Sequence, residues 1–223
     1  LLSVNKKPDH LKWGDIPQWA TAAVQSIINS LKLVDPETAA HCLRVGEQSL
    51  MLAKAAGFND FEAKMAEFAG ILHDVGKMGI SKNIIHKPGK LDDAEYKLMM
   101  DHPNMSVEII KPLMTHEFFS QVAQVVVAHH ERVDGKGYPN KLAGDEIPVL
   151  ARVVFIVDAY DAMTHNRSYR NGLPKEWVYT EIKNCSGTQF DQNLAKIFLQ
   201  SQGLWSGDFS KLDTVQKNFK KAG

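Results

Sequence analysis

The segment GILHDVGKMGI, residues 70–80, closes an apolar helical stripe with an imidazole and a carboxylate side by side. Phe61, Met65, Phe68, Ala69 and Leu72 recur at i, i+4, i+7, i+8 and i+11, the spacing of one buried helix face. That helix delivers His73 and Asp74 at its far end, with Lys77 three residues further on. A charge or lone pair on such a face needs a partner, because burying it unpaired costs several kcal/mol.

The rest of the chain reads as further helices. In DPETAAHCLRVGEQSLMLAKAAG, Asp35 is placed as N-cap, Pro36 at the first helical position and Gly57 as C-cap, with Ala39, Cys42, Leu43, Gly46, Leu50 and Ala53 on one stripe. Asp92 and Glu95 have the spacing of a capping box before a helix broken ahead of Pro103. Phe119, Val122, Ala123 and Val126 share a face that His129 and His130 continue. The run IPVLARVVFIVDAYDAMT could be a buried strand, but its length and Pro148 near its start favour a helix. Two more helices are predicted over 174–183 and 191–199. No stretch alternates as a strand does, so the expected fold is all-α, in one domain.

Five of the nine histidines, His41, His73, His102, His129 and His130, sit on or beside these apolar faces. Acids accompany them. Glu37 lies one turn before His41, Asp74 adjoins His73, and Asp158 interrupts VVFIVDAYDAM on a face shared with Asp161. One inward histidine is ordinarily a satisfied core residue, and a lone HD dipeptide is weak evidence. So many titratable groups on inner faces call for a divalent metal cluster, which compensates all of them at once. Mixed imidazole and carboxylate ligation suits iron, manganese or zinc better than calcium or magnesium.

Composition narrows the partners. Lys+Arg and Asp+Glu balance at 26 each, which excludes a general attraction to duplex nucleic acid or an anionic membrane. No apolar run approaches the roughly 20 residues of a membrane span, and Cys42 and Cys185 read as free thiols in a reducing compartment, so a cytoplasmic location is expected. The chain opens without a methionine, as an excised domain would.

These residues stand in longer motifs. HDVGK, KPGKL, HHERVDGKGYP, a spaced LxGxEIPxxAR, DxYDAMT, RxYR and GTQFD follow one another in the order of the HD-GYP family, the bacterial branch of the HD phosphohydrolase superfamily, which the chain resembles from about Asp35 to Leu199. The resemblance implies a lead-in over 1–34, a catalytic domain over 35–200 and a tail over 201–223, with a five-to-seven-helix core around two or three divalent ions, iron or manganese. It implies His41, His73, Asp74, His102, His129, His130 and Asp158 as ligands, Asp74 bridging two ions, and Glu37 as the mark of members with a third. Lys77 would neutralise charge on phosphoryl oxygens. Tyr138 in the Gly-rich loop and Arg152, Arg167 and Arg170 are implied substrate contacts. Lys136, Ser106 and the serine in RSYR depart from the commonest pattern, and pocket shape and substrate preference are what they put in question.

The implied activity is hydrolysis of a cyclic dinucleotide, cyclic di-GMP or 3′,3′-cyclic GMP-AMP, to a linear dinucleotide and on to mononucleotides. Two alternatives stay open: a metal-holding nucleotide receptor or interaction domain, and a di-iron oxygenase, against which HDxxK and the GYP loop argue. A diguanylate-cyclase domain docking on the GYP loop and a homodimer are further implied partners.

Overall fold

The computed structural model describes residues 16–166 and 171–201. Among these the chain is all helical. Its elements are α1 (Ala20–Val34), α2 (Pro36–Ala55), α3 (Asp60–Leu72), α4 (Lys82–Ile85), α5 (Asp93–Met100), α6 (His102–Ile110), α7 (Glu117–Val127), α8 (Val149–Thr164), α9 (Lys175–Asn184) and α10 (Gln192–Gln200), with short 3-10 turns between them. An isolated bridge between Ser186 and Phe190 is the one β-type pairing there. No helix among the described residues is long and apolar enough to cross a membrane, and neither cysteine is in a disulfide.

The local signals act as expected. Asp35 accepts the backbone N–H of Glu37 and of Thr38, both at 3.1 Å, and so starts α2. Asp92 and Glu95 form a reciprocal capping box on α5. The run from Val149 is a helix, buried nearly all round from Leu150 to Val157. A helix enclosed on every side needs no polar face, and this is why its sequence looked strand-like.

The stripe expected on α2 is corrected at one edge. Leu43 is 47% exposed and Leu50 only partly buried, while Val45, Ser49 and Leu52 are buried. α2 packs against both α3 and α8, so its buried face is wide and centred one step around from the predicted line.

The α2–α3 crossing positions the site. Gly46 and Gly70 face each other across it. A Cβ on Gly70 would stand 2.8 Å from the Cα of Gly46 and 2.9 Å from the Val45 carbonyl. With no side chain between them, the two backbones touch, and His41 and His73 are brought to a ring separation of 5.2 Å. Gly70→Ala is therefore expected to destabilise the fold by about 1–3 kcal/mol through overpacking. The thermal midpoint should fall by roughly 2–12 °C, and an unchanged midpoint would show that the crossing can widen freely.

Candidate metal centre

Five helices direct side chains to one point. His41 stands on the second turn of α2, and His73 and Asp74 follow α3 directly. His102 opens α6 just beyond α5, His129 and His130 lie just beyond α7, and Asp158 is on α8. All are buried except His130, which is partly exposed.

The imidazoles are held one way round. The Nδ1 atoms of His73, His102 and His129 lie 2.7, 2.7 and 2.6 Å from the carbonyl oxygens of Gly70, Met99 and Val126, each three residues earlier. Those carbonyls are in the last turns of α3, α5 and α7, where a helix leaves carbonyls without intrahelical donors. Since a carbonyl only accepts, each Nδ1 carries a proton, and each Nε2 faces the centre. His41 reaches the same state differently, with Nδ1 2.7 Å from Asp161 Oδ2.

The Nε2 atoms then meet carboxylates. His41 Nε2 is 3.1 Å from Asp158 Oδ1 and 3.5 Å from Asp74 Oδ2, and His73 Nε2 is 3.3 Å from Asp74 Oδ2. On the other side of Asp74, Oδ1 lies 3.0 Å from His102 Nε2, which is itself 3.2 Å from His129 Nε2. These are close approaches but poor hydrogen bonds: His41 Nε2, His73 Nε2 and Asp74 Oδ1 are buried with no hydrogen-bond partner. Buried polar atoms that face one another without hydrogen bonds are the arrangement a cation resolves. Three ligand triplets fit within 4.8 Å each: His41, His73 and Asp158; His73, Asp74 and His129; and His102, His129 and His130. The donor set of nitrogens and carboxylate oxygens has the chemistry of a divalent metal site.

Electrostatics point the same way. Burial opposes ionisation of Asp74, but the charges of His73 and Lys77 and the contact with His102 hold it well below the usual carboxylate range. Burial likewise works against Asp158, and His41 and His73 outweigh it. Burial pushes His129 well down and His130 down to about 3. For His73, burial is overcome by Asp74 and Asp158, which raise it to about 10. Ionised carboxylates and neutral imidazoles are the forms that bind metal, and the His73 proton is the one a metal ion would displace.

The other predicted residues are placed as follows. Lys77 lines the same cavity, of about 350 Å³, with Nζ 2.6 Å from Asp74 Oδ2. Glu37 lines it near His41 but falls outside the three triplets. Tyr138 lines it too, its ring 4.7 Å from that of His130. Gly137 makes this possible, because a Cβ there would collide with the backbone of His130, Glu131 and Arg132 at 2.5–2.6 Å. Glu131, buried, accepts the N–H groups of Asn140 and Leu142 and anchors the loop.

Arg152 is not among the lining residues. Its guanidinium is engaged by Asp191 at 2.8 Å and Asp145 at 3.2 Å, tying α8 to the start of α10. Arg167 and Arg170, with the rest of RSYR, lie outside the described residues. Ser106 does not shape the pocket. It is fully buried, donates to the His73 carbonyl at 2.7 Å and accepts from the Gly76 amide at 2.8 Å, clamping the HD turn. Lys136 is exposed and faces a separate groove between α5 and the GYP loop.

Sequence reasoning placed Asp161 on the face of Asp158 without giving it a role, and overlooked Arg44. Asp161 is buried and takes His41 Nδ1, two nitrogens of Arg44 at 2.7 and 2.8 Å, and His165 Nδ1 at 3.0 Å. The signal was present: Arg44 is one turn beyond His41 and Asp161 one turn beyond Asp158, so the two pairs face each other across the α2–α8 contact. His86 and His165, given no role from sequence, also line the cavity.

A model of the HD domain family matches residues 24–194. A 3'3'-cGAMP-specific phosphodiesterase 2 of Vibrio cholerae is 37% identical over 187 residues, covering 83% of this chain and 35% of the relative. A cyclic di-GMP phosphodiesterase of Thermotoga maritima is 35% identical over 178 residues, covering 79% of this chain and 48% of the relative. The chain belongs to the HD-GYP branch of the HD domain family. It spans between a third and a half of the length of these relatives. The fold of this HD-GYP domain also resembles the crystal structure of the V. cholerae cyclic GMP-AMP-specific phosphodiesterase V-cGAP3, with TM-score 0.62 and 18% identity, covering 89% of this chain and 52% of that one.

Asp161→Asn removes the charge that holds His41 and is expected to weaken metal binding by about 10–100-fold. Titration against a chelator of known affinity would measure it. Unaltered affinity would mean that His41 keeps its orientation without Asp161.

Proposed function

We propose that this domain hydrolyses a phosphodiester of a cyclic dinucleotide second messenger, cyclic di-GMP or 3′,3′-cyclic GMP-AMP, at a centre of two or three divalent ions, iron or manganese. The observation that carries the reading is Asp74. Its two oxygens face different imidazoles, Oδ2 towards His41 and His73 and Oδ1 towards His102, as a carboxylate shared by two ions must. His41, His73 and Asp158 would hold one ion and His102, His129 and His130 the other. Glu37, beside His41 at the cavity wall, would serve a third. The relatives in V. cholerae and T. maritima support the substrate class and differ between themselves in the dinucleotide they are named for.

Such ions, when bound, act as Lewis acids on a phosphoryl oxygen and supply a nucleophile from water at neutral pH. The chain's own residues do the rest. Lys77, one turn past Asp74, brings a cation to the cavity wall and offsets negative charge gathering on the phosphoryl oxygens. Asp161 holds the His41 proton on Nδ1, so that Nε2 stays available. Tyr138 lies against His130, a contact that Gly137 permits, and forms that flank of the cavity wall. On its outer side the same loop exposes Lys136, Asn140 and Lys141, the surface a diguanylate-cyclase domain would meet.

Protein loaded anaerobically with Fe²⁺ or Mn²⁺ is expected to linearise at least one of the two cyclic dinucleotides, with products resolved by chromatography. Chelation should abolish turnover, and Asp74→Ala should abolish it while stripping bound metal. Full activity of Asp74→Ala with unchanged metal content would overturn the scheme. Glu37→Ala should lower the metal-to-protein ratio by up to one and leave a two-ion core, so an unmoved ratio would remove Glu37 from the ligand set.

A further inference from the structure

We propose that Arg44 anchors the second phosphodiester of the substrate, the one not being cut. This rests on the cyclic dinucleotide reading above. A cyclic dinucleotide carries two phosphodiesters, and the ion cluster with Lys77 accounts for only one of them. The other needs a cationic donor on the cavity wall, away from the reacting centre.

Three arginines lie among the described residues, and two are engaged elsewhere. Arg132 is held by Asp134 and Gln189, and Arg152 by Asp145, Asp191 and the Ile147 carbonyl. Neither lines the cavity, whereas Arg44 does. Its side chain is 34% exposed and borders the space a ligand would fill.

The guanidinium is also half used. Nε and Nη2 are pinned to the two oxygens of Asp161, while Nη1 has no partner among the described residues. A planar fork fixed along one edge holds its remaining donors in a set direction. Pinning thus removes the rotamer freedom that a free arginine would lose on binding an anion. Arg44 is three residues past His41, so it stands about 4.5 Å further along α2 on nearly the same face. That puts a second anion site beside the first without overlapping it, a spacing that a substrate with a single phosphodiester cannot exploit.

The test must separate this from the hold of Arg44 on Asp161, so it compares two substrates. Arg44→Gln and Arg44→Lys, loaded with Mn²⁺, would be assayed on the cyclic dinucleotide and on bis(p-nitrophenyl) phosphate, which has one phosphodiester, with bound metal measured alongside. Arg44→Gln is expected to raise the ratio of the two KM values, dinucleotide over small diester, about tenfold or more, the loss of a charge-assisted hydrogen bond. Metal content should stay at the wild-type ratio, and Arg44→Lys should recover part of the change. A parallel loss on both substrates with loss of metal would overturn the proposal, leaving Arg44 as a support for Asp161 alone. Unchanged kinetics would overturn it as well. If the metal-loaded wild type cleaves the small diester but neither cyclic dinucleotide, the functional reading itself fails and the proposal falls with it. Failure of the proposal alone leaves wild-type dinucleotide turnover intact.

Discussion

The buried carboxylate of Asp74 governs this fold. It is 1% exposed, ionised, and faced by imidazole Nε2 atoms whose rings are held through Nδ1. Among the described residues Lys77 is the one permanent cation in contact with it, and Asp74 Oδ1 and the Nε2 atoms of His41 and His73 have no hydrogen-bond partner. A helical core built around such a group is incomplete as a purely organic object. Everything near it serves to keep those atoms convergent: the glycine crossing of α2 and α3, the Ser106 clamp on the HD turn, and the carbonyl hold on three Nδ1 atoms.

Much of this was legible beforehand because it obeys local rules. Helix periodicity located the helices that bring the histidines in, and caps at Asp35 and Asp92 fixed two of their starts. Even the strand-like run from Val149 was resolved by length and a proline. The misjudged edge of α2 has a simple cause. A stripe drawn through Leu43 and Leu50 assumes one neighbour, and α2 packs against α1, α3 and α8.

What escaped was relational. Arg152 sits in a motif and was given a substrate role, yet nothing in its neighbourhood along the chain reveals that Asp191, far away in sequence, would pair with it. Ser106 drew attention as a departure from a pattern, but its hydroxyl bridges His73 and Gly76, a purely tertiary arrangement. Asp161 and Arg44 were the costliest omission. Each lies one turn beyond a predicted ligand, and only the α2–α8 contact shows that they complete one another. Ligands announce themselves by residue type; the groups that orient them do so only by position.

The ends of α3, α5 and α7 carry one more consequence. Aligned peptide dipoles give each helix a partial negative charge at its C-terminus, and these three termini all abut the histidine cluster. The backbone therefore draws a cation to this spot whatever side chains are present. Changes of ligand type over evolution would retune which ion is held, and how tightly, without removing the attraction. Metal identity in such a domain is then a matter of side chains, while the preference for positive charge is written into the chain's path.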